Sequence, residues 1–150
     1  MKSLVICIGN DLVADDGVGS KIYQELLTQN LSSSVRLLFL GLGGLDIIEQ
    51  MEGEENLIVV DAVQFGVNTG TVHNIAWKDL PHMESRPVSG HGIGVREALD
   101  ICKRLYPERM PKKCCLIGIE GSCFNELGGS LSPAVASAIP QAIIEIKKSL

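Results

Sequence analysis

Leu4 to Ile8 is an unbroken apolar run, and it leads straight into Gly9-Asn10-Asp11-Leu12-Val13-Ala14-Asp15-Asp16-Gly17-Val18-Gly19, beyond which Val18, Ile22, Leu26 and Leu27 recur at helical spacing. A strand covered by helices on both sides reads as continuous hydrophobics, and an amphipathic helix reads as a stripe of period 3.6. The opening of the chain is therefore a buried strand, a turn and a helix, the unit from which parallel sheets are built. In open α/β sheets ligands bind at such turns, beyond the carboxyl ends of the strands. A helix N-terminus there favours anions, but this turn already carries Asp11, Asp15 and Asp16. Those carboxylates point to a metal or proton site rather than to a phosphate cradle.

The same alternation runs through the chain. Val35 to Leu40, Leu57 to Val60 and Cys114 to Ile119 read as further strands, and Thr71 to Ala76 alternates partly, as an edge strand does. Leu45 to Met51 fits a short helix, and His91 to Tyr106 fits a longer one with Val95, Ala98, Leu99, Cys102 and Leu105 on one face. Ser132-Pro133 supplies an N-cap and a first-turn proline for a last helix bearing Val135, Ile139, Ile143 and Ile146, with Pro140 expected to kink it. Strands alternating with helices predict an α/β fold, a three-layer α/β/α sandwich about a five-stranded, largely parallel sheet.

The 150 residues suit one domain, 1–150, able to bury about two thirds of its unfolded surface. A net charge of −5 argues against attraction to nucleic acid or an anionic membrane surface, and Lys103-Arg104 and Lys112-Lys113 read as solvated surface. The first residues turn polar too soon for a signal peptide, and no run approaches the ~18 apolar residues of a membrane span. The expectation is a cytoplasmic protein, and a monomer, because no long apolar surface helix asks for a second copy. Five cysteines without a C-x-x-C make neither a disulfide framework nor a thiolate zinc site. Cys7 and one of Cys114 and Cys115 read as small buried hydrophobes.

Nucleotide-binding fingerprints fail on spacing. Asp11 stands where a second glycine belongs, Gly19-Ser20-Lys21 reverses the order of a phosphate loop, and Asp46 occupies the last glycine position after Gly41-Leu42-Gly43-Gly44. An EF-hand register from Asp11 puts Val13 and Asp16 at the wrong places. Asp15 reads first as a helix N-cap, which leaves Asp16 for a dipole-complementing or ligand role. Asp61 ends the run Leu57-Ile58-Val59-Val60, where a buried carboxylate needs a counterion or a metal; a turn-capping role is its alternative. His91 lies among small residues in Ser89-Gly90-His91-Gly92-Ile93-Gly94, whereas His73 and His82 read as surface. If the first and third strands are neighbours, Asp16, Asp61 and His91 share one sheet edge. Two carboxylates and an imidazole suit a borderline divalent ion such as Ni²⁺, Zn²⁺, Fe²⁺ or Mn²⁺ and leave coordination positions open.

These pieces, with Leu116-Ile117-Gly118-Ile119-Glu120 and Leu131-Ser132-Pro133-x-Val135, resemble the motifs of the nickel-iron hydrogenase maturation endopeptidases, in family order and over nearly the full length. The resemblance implies a five-stranded twisted sheet between helix layers. It implies an enzyme that removes a C-terminal extension from a hydrogenase large-subunit precursor after nickel insertion. Asp16, Asp61 and His91 match the family's metal-contacting residues, and nickel, supplied by the substrate, acts as the licence to cut. Another divalent metal could occupy the isolated protein. No H-E-x-x-H, G-x-S-x-G or Cys–His signature supports conventional protease chemistry. Two other readings remain: a non-proteolytic metal-binding accessory protein for hydrogenase assembly, which the same three ligands would serve, and a nucleotide or phosphorylated-metabolite enzyme, which would need anion donors at the glycine turns and against which the acidic turn counts.

Overall fold

The computed structural model describes residues 1–41, 44–80 and 94–150. The strands are β1 (Ser3–Ile8), β2 (Val35–Leu40), β3 (Asn56–Val63), β4 (Val72–Ala76) and β5 (Lys113–Glu120). They form one sheet in the order β2-β1-β3-β5-β4, parallel except for β4, which runs antiparallel along β5 at the edge. The helices are α1 (Val18–Leu27), α2 (Asp46–Gln50), α3 (Val95–Leu105) and α4 (Pro133–Ser149). The central strands β1 and β3 are buried along their whole length, which is why their sequences carry no polar alternation.

Strand pleating sorts the core into two layers. Leu4, Ile6, Ile8, Leu57, Val59 and Val63 pack with α2 and α3 residues such as Ile47, Leu99 and Cys102. Val5, Cys7, Ile58, Val60 and Ala62 face the other way and pack with Val18, Ile22 and Leu26 of α1 and Val135, Ala142 and Ile146 of α4. The expected three-layer α/β fold, with its five-stranded and largely parallel sheet, is thus the fold of the protein. Among the described residues no helix is long and apolar enough to cross a membrane.

Several local expectations change. Asp61 does not end its strand: β3 continues to Val63, and Asp61 pairs in register with Gly118 of β5. A side chain's polarity does not stop backbone pairing when the neighbouring strand continues. Leu105, expected on the buried face of α3, is exposed, and Ile101 packs on the core instead. Helix α4 runs through Pro140 as one element. Cys7 and Cys114 are buried, as read from the sequence, and Cys115 is half-buried.

Candidate active site at the carboxyl edge of the sheet

The parallel pairing of β1 with β3 sets Cys7 opposite Val60, so the end of β1 and Asp61 stand at one level of the sheet. The condition on which the three-residue site depends, that these strands are neighbours, is met. After Ile8 the chain folds back as a 3-10 turn, Ala14–Gly17, which leads into α1 and packs against both α1 and β3. Three glycines permit this close fold. A methyl on Gly9 would run into the carbonyl oxygen of Asp16, one on Gly17 would press on Asp11, and one on Gly19 would overlap the backbone of Ile8. Asp16 is thereby held over the end of β1.

Both carboxylates are almost fully buried, with Asp16 at 2% and Asp61 at 6% exposure. Asp16 Oδ2 accepts a hydrogen bond from the N–H of Asn10 at 3.1 Å, and Asp61 Oδ1 accepts one from the N–H of Ala62 at 2.8 Å. The negative charge of Asp61 reaches Cys7: burial first, and then this charge, push the Cys7 thiol up to about 12. Alternation along β3 puts Asp61 on the same side as Leu57, Val59 and Val63, the side covered by α2 and α3. His91, in the sequence just before α3, lies outside the described residues, as does His82. Among the described residues no three His, Cys, Asp or Glu side chains gather around a point where a metal ion could sit.

The two aspartates supply hard, charged oxygen donors that fit a divalent ion and do not close its coordination shell; the preference for a borderline ion would come from an added imidazole. Ordinary proton chemistry is equally open to a carboxylate at such a place.

Asp15 corrects the capping expectation. It is fully buried, and neither the 3-10 turn nor α1 receives a side-chain cap from it. Its Oδ2 accepts from the N–H of Ser122 at 2.8 Å, the N–H of Cys123 at 3.0 Å and the hydroxyl of Ser132 at 2.7 Å, while Oδ1 accepts from the N–H of Ser132 at 2.6 Å. Burial works to raise this carboxyl, but the hydrogen bonds from Ser122, Ser132 and Cys123 outweigh it and hold it below its ordinary 3.8. Ser132 does sit at the N-cap position of α4 with Pro133 after it, but its hydroxyl serves Asp15 rather than the helix.

His73, read as a surface residue, is instead bonded to buried Glu120 at 3.1 Å and meets the ring of Phe65 edge-on at 5.0 Å. Glu120 also accepts from the N–H groups of Phe65 and Gly66 at 2.9 Å and 3.2 Å. Sequence reasoning reads Ser132 as an N-cap and places Glu120 and Ser132 within motifs, but gives neither them nor Ser122 a part at the site. A further signal is that a lone acidic residue, Glu120, closes the apolar run of β5 just before a loop rich in serine and glycine.

Fold and site together define a three-layer α/β protein with two buried carboxylates, Asp16 and Asp61, toward the carboxyl edge of its parallel sheet. The family model described as HycI: Hydrogenase maturation protease matches residues 18–149, a span that begins just after Asp16. The chain is 36% identical over 151 residues to the Hydrogenase expression/formation protein HupD of Rhodobacter capsulatus, covering 99% of this chain and 71% of that protein. It is 26% identical to the Hydrogenase 2 maturation protease of Escherichia coli, over 100% of this chain and 91% of that protein. The solved structure of the hydrogenase maturating endopeptidase HybD from E. coli superposes with a TM-score of 0.84 at 26% identity, over 97% of this chain and 90% of that one. The chain belongs to the hydrogenase maturation protease family. It is accordingly a hydrolase of peptide bonds.

Proposed function

We propose that this protease removes the C-terminal extension of a nickel-iron hydrogenase large-subunit precursor once nickel is in place, and that the precursor's nickel is the recognition element. The observation that supports the reading is that two buried carboxylates, Asp16 and Asp61, lie on segments next to the carboxyl ends of the adjacent strands β1 and β3. His91 is the third ligand of this proposal, on the strength of the motif that contains it. Nickel held in the precursor docks on these groups and fixes the scissile peptide beside them. Holding the reacting groups in place can then supply most of the acceleration, by about 7–11 kcal/mol in well-oriented systems. A metal-polarised carbonyl or a metal-activated water completes the hydrolysis. We place the reaction in the cytoplasm, with the chain acting as a monomer.

The test is processing of nickel-loaded precursor by Asp16→Asn, Asp61→Asn and His91→Ala variants whose circular dichroism matches the parent. Mass spectrometry of the precursor after incubation should show the C-terminal extension retained in each case. Normal trimming by any of the three would remove that residue from the site. An accessory protein that binds nickel without cutting would leave the precursor at full length even with the parent chain.

A further inference from the structure

The loop between β5 and α4 is fastened to the turn that carries Asp16. Val13 forms an isolated antiparallel bridge with Leu127, the N–H of Gly128 donates to the carbonyl of Leu12 at 2.8 Å, and the N–H of Asp15 donates to the carbonyl of Cys123 at 3.0 Å. At the centre of this seam stands the Asp15 carboxylate, fully buried and hydrogen-bonded at both oxygens by donors from Ser122, Cys123 and Ser132. Those donors lie 107 to 117 residues away in sequence. Oδ2 accepts three of these bonds and Oδ1 the fourth, so both oxygens of Asp15 are committed to the loop. Its neighbour Asp16 turns the other way, toward Asn10.

The backbone just before them needs a clamp. Ala14 sits at φ +35, in the left-handed region that a residue with a Cβ enters at a cost of about 1–2 kcal/mol. Such a conformation persists only where its surroundings fix it. The seam does so on both sides, through Val13 and through Asp15.

We propose that Asp15 is a positioning residue: by gripping the backbone of Ser122, Cys123 and Ser132 it sets the rotation of the 14–17 turn and thereby aims the Asp16 carboxylate at the end of β1. The inference rests on the reading of Asp16 as a nickel-contacting group. Asparagine cannot replace Asp15 despite its matching shape. Backbone N–H groups approach both carboxylate oxygens, so either orientation of the amide sets its own N–H against another donor. Ser132→Ala is a gentler variant, since it removes one hydroxyl donor and leaves the three backbone donors.

The amide of Asn10 reports on Asp16 directly, because it donates to Asp16 Oδ2. Hydrogen exchange followed by NMR in the full chain should show the Asn10 amide exchanging about tenfold faster in Asp15→Asn and Ser132→Ala, with core amides such as Val59 unchanged. Cleavage of nickel-loaded precursor at saturation should fall about tenfold with KM nearly constant, and Ser132→Thr, which keeps the hydroxyl, should restore both. Should Asp15→Asn fail to fold, Ser132→Ala carries the test. Unchanged Asn10 protection, or unchanged cleavage despite faster Asn10 exchange, overturns the proposal. Asp16→Ala separates the two layers of argument: if it trims precursor normally, the nickel-contact reading falls and the proposed positioning role falls with it. If it is inactive while Ser132→Ala matches the parent in both readouts, only the role of Asp15 is lost.

Discussion

Gly19 of α1 packs so closely on Ile8, the last residue of β1, that a methyl group on its α carbon would overlap the Ile8 carbonyl oxygen. The contact explains why glycine occupies that place in the first turn of a helix, where it otherwise weakens the element. It brings α1 and the acidic turn down onto the end of the strand. Gly19→Ala should therefore destabilise the protein by about 1–3 kcal/mol through overpacking, read by urea denaturation, and should reduce precursor cleavage as well. Gly41→Ala is the matched control: among the described residues a methyl there meets nothing within 4 Å, and its effect should stay within about 0.5 kcal/mol.

Glu120 anchors the segment that follows β3. Replacing it by Gln keeps the shape but turns an amide N–H toward the donors at Phe65, Gly66 or His73. A buried acceptor lost to an N–H group costs about 1–3 kcal/mol. His73→Ala removes only one of those donors and should cost less than Glu120→Gln in the same denaturation measurement.

Arg36 and Glu54 give an acid-sensitive tie between β2 and the loop before β3. Arg36 Nε donates to Glu54 Oε1 at 2.7 Å, and a second guanidinium nitrogen bonds the carbonyl of Gln50. Burial works to raise the Glu54 carboxyl, but hydrogen bonds from the backbone of Glu52 and Glu54, with the Arg36 charge, hold it below its ordinary 4.5. A carboxyl depressed in the folded state contributes stability that is fully present above 4.5 and is lost as pH falls through the lower folded value. Arg36→Met should cost about 1–3 kcal/mol at neutral pH. The gap to the parent should hold constant down to about pH 5 and narrow below the unfolded Glu54 value. It should not close, because the bond to Gln50 does not titrate.

The sheet and the alternation of layers were legible because buried parallel strands write themselves as unbroken hydrophobic runs. What local spacing could not carry was partnership across the chain. Asp15 has the look of a cap, since it precedes a helix, but its partners Ser122 and Ser132 arrive from the far end of the sequence. His73 looks exposed on an edge strand until the register of β4 on β5 sets it opposite Gly118, two residues from Glu120. Asp61 stands out as a site candidate by its charge inside an apolar run, while the end of its strand is misplaced because pairing with β5 continues past it. Asp16 is left for a dipole-complementing or ligand role only by reading Asp15 as the cap, a premise that the partners of Asp15 overturn.

The most direct measurement is a crystal of this chain soaked with a divalent ion whose anomalous signal locates it, Zn²⁺ or Ni²⁺. The account predicts a peak at the carboxyl edge of β1 and β3, with one oxygen of Asp16, one of Asp61 and a ring nitrogen of His91 each at about 2.0–2.2 Å from it. A peak elsewhere, or carboxylates of Asp16 and Asp61 turned apart with no shared ion at concentrations that saturate the protein, would contradict it.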